Sequence, residues 1–316
     1  MKQRSHPALI GIVALTMAPP AFSQQSTSDV DTFMRGVLEH RDDNWKHVKE
    51  FAFDESESFD ARTGTGRTIW GFTREFAWSP SGDGTFVRSP IGVNGVGLSE
   101  AERRTAEREW IRRRAVTDQQ QKHAELEFGK GGLVINPYTI ADIAINDQTV
   151  LRAIERTFQP GSIDTAYLTH LTFDHGTYAF VGRETMMGRD VYRVEYYPRQ
   201  FFSNPDTATR PPTEGVVPWM EEKMDKTSLV TFWVDPLQYQ ILRYEFANHD
   251  FGFMPGRTYA RLDDLRVSLR MREASPQVWL PDAMDVRVAM TTASGTVDAQ
   301  YQVRYHHFRQ VNAPGR

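Results

Sequence analysis

From residue 167 onward the chain alternates apolar and polar side chains with a period of two, and this pattern constrains its fold more than any other feature. Leu265, Val267, Leu269 and Met271 interleave with Arg266, Ser268, Arg270 and Arg272. Met284, Val286, Val288 and Met290 face away from Asp285 and Arg287, and Val297, Ala299, Tyr301, Val303 and Tyr305 from Asp298, Gln300, Gln302 and Arg304. Leu242, Tyr244 and Phe246 oppose Arg243 and Glu245. Successive side chains of a strand point to opposite faces, so each run is a half-buried antiparallel strand with one apolar and one polar face. Hairpin turns are read at Met187-Gly188 and Ser294-Gly295, and the proline-rich segment from Phe201 to Pro218 reads as a rim loop.

The N-terminal half supplies what covers that apolar face. Ser28 caps an amphipathic helix that places Val30, Phe33, Met34, Val37 and Leu38 on one side. Phe51 to Trp78 reads as a long hairpin turning at Thr63-Gly64-Thr65-Gly66, with a short third strand from Thr85 to Arg88. Ser99 and Glu102 form a capping box that opens a charged helix running to about Phe128, and a second helical stretch extends from Ile140 to Phe158. The expected class is α+β, mainly antiparallel β: a curved open sheet with helices over its concave apolar face. Residues 24–316 read as one domain with a helical insertion at about 99–160.

Residues 1–23 read as a removable signal peptide. Lys2, Arg4 and His6 precede the apolar run Ala8 to Met17, and small residues at Ala21 and Ser23 suit cleavage after Ser23. The run is shorter than the ~20 residues needed to span a bilayer. The expected location is therefore the periplasm, with a short N-terminal membrane anchor that is never removed as the alternative; with no cysteine in the chain, lipidation of an N-terminal cysteine is not expected. The net charge of −4 offers no basic surplus for phosphates, so no nucleic-acid partner is expected.

Chemical signatures are sparse. The missing cysteines remove disulfides, thiolate metal sites and a cysteine nucleophile. No G-x-S-x-G is present, and Gly92 to Gly97 lacks the phosphate-loop lysine and the Rossmann spacing, reading instead as a flexible lead-in to the Ser99 helix. The pairs Asp263-Asp264 and Glu221-Glu222 carry no mark of acid/base function. His170, Asp174 and His175 lack a well-spaced third ligand, and strand alternation sends His306 and His307 to opposite faces. No catalytic residue, metal or cofactor is assigned, and a dispersed envelope hydrolase site is the third reading of function.

Aromatics crowd the predicted strands, either as a filled core or as the lining of a pocket. The candidate ligand-binding face comprises Phe72, Phe76, Phe232, Leu242, Tyr244, Phe246, Val267, Val286 and Val288. Arg104, Arg108 and Arg112 recur every four residues and make a basic stripe on the charged helix. With Trp110 and Ile111 as its apolar contacts, that helix reads as a lid or a lipid-headgroup contact, or simply as a solvated face.

Several motifs resemble the LolA/LolB-like outer-membrane lipoprotein-sorting superfamily. Phe180-Val181-Gly182-Arg183-Glu184, Gly188-Arg189-Asp190-Val191-Tyr192 and Pro198-Arg199 look like its "G-x-E…G-x-x-x-Y…P" strand pair. Phe232-Trp233-Val234-Asp235 and Gln240-Ile241-Leu242-Arg243 look like its "W-[IV]-D…Q…[LV]-R" hairpin. Trp279-Leu280-Pro281 and Tyr305-His306-His307-Phe308-Arg309 resemble the last strands of its larger members. The resemblance implies a half-barrel whose concave face holds a lipid, a lipoprotein acyl chain or another hydrophobic ligand. An RseB-like envelope sensor, meeting a protein partner through the same surface, is the alternative, and peripheral membrane contact fits either.

Overall fold

The computed structural model describes residues 29–81, 86–112, 173, 176–198, 228–248 and 260–311. Helix α1 (Asp29–Trp45) passes through a 3-10 turn (Lys46–Glu50) into β1 (Phe51–Thr63), followed by β2 (Thr68–Pro80), β3 (Phe86–Val93) and β4 (Val96–Gly97). Residues 100–112 form the described part of a second helix, α2. The chain continues through β5 (Gly176–Met186), β6 (Arg189–Pro198), β7 (Ser228–Asp235), β8 (Gln240–Asn248), β9 (Ala260–Ser275), β10 (Val278–Thr292) and β11 (Gly295–Gln310). The signal-peptide reading, Ser28, the helical reading beyond residue 112, His170, Asp174, His175 and the Phe201–Pro218 loop lie outside the described residues.

The eleven strands among the described residues pair antiparallel in one sheet of order β4-β3-β2-β1-β11-β10-β9-β8-β7-β6-β5. Its two ends do not meet, so the sheet is open and curved rather than a closed barrel. Among the described strands, the one pairing between strands distant in sequence joins β1 to β11, from Phe51↔Gln310 to Thr63↔Val297. Every other pair in the described sheet joins strands that are consecutive in the chain.

The alternation read from the sequence holds. Across the paired strands Phe72, Phe59, Tyr301, Val286, Val267 and Phe246 form one continuous row on the inner face. A parallel row carries Glu57, Val303, Met284, Leu269, Tyr244 and Phe232. Each fully buried large apolar side chain in such a row contributes roughly 1.5–3 kcal/mol relative to exposure. The outer face is polar: a shallow groove of about 320 Å³ runs there among Asp60, Arg62, Asp264, Arg287 and Asp298.

α1 docks on the inner face against β5, β8 and β10. Met34 and Val37 are fully buried, and Phe33 lies against Tyr192 and Tyr239 with ring centroids 5.7 and 5.3 Å apart. A Cβ at Gly36 would sit 3.2 Å from the Tyr239 ring, so the missing side chain permits this close approach. A register shift at Val278/Trp279 leaves backbone groups of Trp279 to Asn44, whose Oδ1 accepts from Trp279 N at 2.9 Å while its Nδ2 donates to Trp279 O.

Turn chemistry matches the expected hairpins and adds one. Met187 and Gly188 both have positive φ, 52° and 73°, as a two-residue I′ turn requires. Asp235 accepts from Leu237 N at 2.9 Å and Gln238 N at 3.2 Å, closing the β7–β8 turn. The segment Gly92 to Gly97, expected to be a flexible lead-in, is instead a β-hairpin pairing Val93 with Val96. Asn94 and Gly95 adopt φ 51° and 78°, so an Asn-Gly turn signal decides the local structure. β3 correspondingly runs to Val93 rather than ending near Arg88.

Bulges interrupt the alternation, and at one of them the facing expected from the sequence is overturned. Pairing moves from Asp54↔His306 to Ala52↔Arg309, which inserts one extra residue into β11. His307 takes φ 51° at this bulge, and Phe308 returns inward to pack on Phe53 at 5.5 Å. His306 and His307 therefore emerge on the same side, and the expectation that they point apart is corrected.

Candidate functional site

Two environments occupy the inner face. Toward β8–β10 it is aromatic and aliphatic. Phe232 lies 5.5 Å from Tyr244 and 5.1 Å from Phe173, ring centroid to centroid, under α1. The Tyr244 hydroxyl meets Arg41 of α1, and burial pushes its ionisation up. Of the nine residues expected to line a ligand site, Phe76, Phe232, Leu242, Tyr244, Val267, Val286 and Val288 are buried. Phe72 and Phe246, at opposite ends of their row, are half-buried. The strand register brings all nine to one face.

Toward β1–β3 the same face holds an ionic network that the sequence reading did not anticipate. Glu55 and Glu57 share the inward parity of Phe53 and Phe59 on β1, and both side chains are fully buried. The Arg88 guanidinium bridges Glu55 Oε1 and Glu57 Oε1. Trp78 Nε1 donates to Glu55 Oε2 at 2.6 Å, Tyr301 OH to Glu57 Oε1 at 2.7 Å, and Arg74 Nε to Glu57 Oε2 at 2.7 Å. Burial pushes the Glu55 carboxyl up to about 7, with the Arg88 charge pulling it down and the Glu57 charge adding to the rise. Burial likewise raises Tyr301 and Tyr305.

Apolar walls intensify every charge interaction here. Arg88 stacks 3.5 Å from the Phe76 ring centroid, which makes Phe76 part of this network as well as of the apolar row. The Tyr305 hydroxyl and Trp110 Nε1 are buried without a hydrogen-bond partner among the described residues. The signal was partly present in the sequence, since two glutamates interrupt the run Phe51, Phe53, Phe59, Ala61 at inward positions. Nothing local named Arg88 as their partner, because it arrives from β3.

α2 lies over this end. The capping box forms: Ser99 N donates to Glu102 Oε2 at 2.8 Å, and Glu102 N to Ser99 Oγ at 3.4 Å. Trp110 packs edge-on against Trp78, and Arg103 Nη2 donates to Ser89 Oγ at 3.3 Å. Ile111, expected to help tie the helix down, is 53% exposed. Arg104, Arg108 and Arg112 face solvent, with Arg104 paired to Glu100 at 2.8 Å and Arg108 bonded to Thr105 at 3.1 Å. Among the described residues no helix is long and apolar enough to cross a membrane.

Fold and site together define an α+β protein built on an open, curved antiparallel sheet whose concave face carries an apolar floor and a buried carboxylate–guanidinium network. No family model and no curated protein matches the chain. Solved structures similar to it include a putative outer membrane lipoprotein-sorting protein domain from Vibrio parahaemolyticus, at 10% identity and TM-score 0.32, covering 87% of this chain and 92% of that one. A DUF1329 family protein from Desulfovibrio piger matches at 11% identity and TM-score 0.32, over 89% of this chain and 95% of its own. A LolA superfamily protein from Nitrosomonas europaea matches at 11% identity and TM-score 0.27, over 89% and 94%.

Proposed function

We propose that the protein is a periplasmic, non-enzymatic carrier that holds a lipid, a lipoprotein acyl chain or another hydrophobic ligand against the concave face of its sheet. In this reading residues 1–23 direct export and are removed, and residues 24–316 act as one domain. The observation that carries it is the apolar row from Phe72 to Phe246, unbroken by any charge, whose two ends remain half-buried. A ligand chain seated on the half-buried ends gains about 25 cal/mol per Å² of apolar surface removed from water, and it reaches the buried middle of the row only when the cover over it moves. α2 is the movable cover, because its apolar anchorage among the described residues is the Trp110 ring alone, with Ile111 turned to solvent.

Native mass spectrometry of mature protein purified without detergent tests the proposal, together with titration of a fluorescent fatty acid. Co-purifying lipid mass and saturable probe binding are expected, with probe affinity reduced in Phe72→Lys and Phe246→Lys. Lipid-free protein that binds no probe overturns it.

A second reading, a sensor that meets a protein partner, is favoured by one feature. Edge strand β5 exposes Phe180 and Val181 at 47% and 45%, and Met187 follows at 51%. Exposed edge strands with apolar side chains are suited to strand addition. Val181→Lys should then weaken a partner complex and leave lipid content unchanged.

A further inference from the structure

We propose that Asp54, His306 and His307 form a three-donor binding site for a divalent transition ion of the zinc class, on the outer face of the sheet where β1 meets β11.

The β11 bulge builds this site. Its extra residue and the left-handed φ of His307 turn two consecutive imidazoles to one side, which regular alternation forbids. His306 Nδ1 and His307 Nδ1 lie 3.1 Å apart, and His307 Nδ1 is 2.9 Å from Asp54 Oδ2. All three donor atoms fall within 4.8 Å of one another. Bonds of ~2.0–2.1 Å to a tetrahedral ion place neighbouring donors about 3.3–3.4 Å apart, so these atoms need little movement to share one.

Hydrogen bonds serve the three atoms less well than an ion does, since a single proton on His307 Nδ1 must be divided between Asp54 and His306. If His307 Nδ1 donates its proton to Asp54, it has no lone pair left for His306. If it accepts from His306 instead, its lone pair faces the carboxylate. A cation satisfies all three atoms at once. The far sides of the donors are already held: His306 Nε2 lies 2.9 Å from Ser56 Oγ, and Arg309 Nη2 donates to Asp54 Oδ1 at 2.9 Å. Such outer partners orient metal ligands and fix the imidazole tautomer.

The donor set selects the ion. Two imidazoles and one carboxylate, with the Arg309 charge beside the carboxylate, suit Zn²⁺, Co²⁺, Ni²⁺ or Cu²⁺ rather than the oxygen-seeking Ca²⁺ and Mg²⁺. The site also clamps a strand pair that is distant in sequence: Asp54 and His307 are 253 positions apart. Ion binding therefore stabilises the folded sheet through mass action.

The test uses the mature full chain. Isothermal titration with ZnCl₂ should show one site, Co²⁺ should develop d–d absorption, and added zinc should raise the melting temperature. His306→Gln and His307→Gln should each weaken binding at least about tenfold and remove the thermal shift. The His307 side chain is 71% exposed, so its replacement leaves the fold intact, which circular dichroism checks. His47→Gln, at an exposed position on another element, should change nothing. No thermal shift with zinc in wild type, or zinc binding that is unaltered in His307→Gln, overturns the proposal.

Discussion

Trp110 of α2 stands edge-on to Trp78 of β2, with ring centroids 5.9 Å apart and planes at 87°. The Trp78 N–H is spent on Glu55 at 2.6 Å, so one indole is tied both to the helix above it and to the carboxylates beneath. Trp110→Ala should detach the helix from this anchor. Trp110 is only half-buried, so the expected loss is ~2 kcal/mol, less than full burial of a tryptophan would cost. Hydrogen exchange should accelerate across 100–112 and stay unchanged in β9–β11; equal acceleration in both would contradict a separately movable cover.

Glu55 makes stability depend on pH in a stated direction. Burial raises its carboxyl to about 7, against 4.5 for an ordinary glutamate. Between these values the folded state binds more protons than the unfolded state. The stabilisation is fully present below about pH 4.5 and is lost as pH rises through about 7, by up to roughly 3 kcal/mol. Urea melts from pH 5 to pH 8 should show this decline in wild type, and Glu55→Gln should flatten it. An unchanged slope in the variant would assign the decline elsewhere.

Arg88 is shared by the two buried glutamates through direct hydrogen bonds to both. Arg88→Met leaves both carboxylates in an apolar setting without that partner and should cost ~3–5 kcal/mol. Adding Glu55→Gln to Arg88→Met should recover at least ~1 kcal/mol, because the carboxylate that Arg88 leaves uncompensated disappears, whereas Glu57 keeps Arg74 at 2.7 Å. Additive losses in denaturant melts would mean that the three groups do not act as one network.

Strand register is checked by neighbours on β10. Val286 is fully buried and pairs with Tyr301 and Val267, while Arg287 is exposed on the other face. Val286→Asp should cost several kcal/mol or prevent folding, by burying an unpaired carboxylate. Arg287→Asp should stay within ~1 kcal/mol of wild type. Equal thermal shifts would refute the facing.

The basic stripe separates solvation from docking. Replacing Arg104, Arg108 and Arg112 together with Gln should leave stability within ~1 kcal/mol, since the Arg104–Glu100 pair is exposed on both sides. If the stripe meets a membrane, the triple variant binds anionic vesicles more weakly and with less sensitivity to salt. Identical vesicle binding would leave the three arginines as a solvated helix face.

What the sequence determined by itself was local. Period-two alternation assigned Val286 inward and Arg287 outward because strand stereochemistry fixes the face of each residue without reference to its partner. Ser99 and Glu102 announced a helix start, and Met187-Gly188 a turn, because their hydrogen bonds and dihedrals close within a few residues. The Asn94-Gly95 hairpin was legible in the same way, although the glycines around it suggested looseness.

Tertiary structure decided whatever depended on which distant segments meet. The pairing of β1 with β11 brought Tyr301 to Glu57 and His306 to Asp54, across about 250 positions that carry no local trace of the contact. Arg88 became the partner of two glutamates only when β3 folded beside β2. At His307 one inserted residue reversed a facing that alternation had assigned, because a bulge shifts the count by one without changing the composition around it. Facing is a property of the chain's own stereochemistry, whereas partners and bulges are settled by the free energy of the whole sheet.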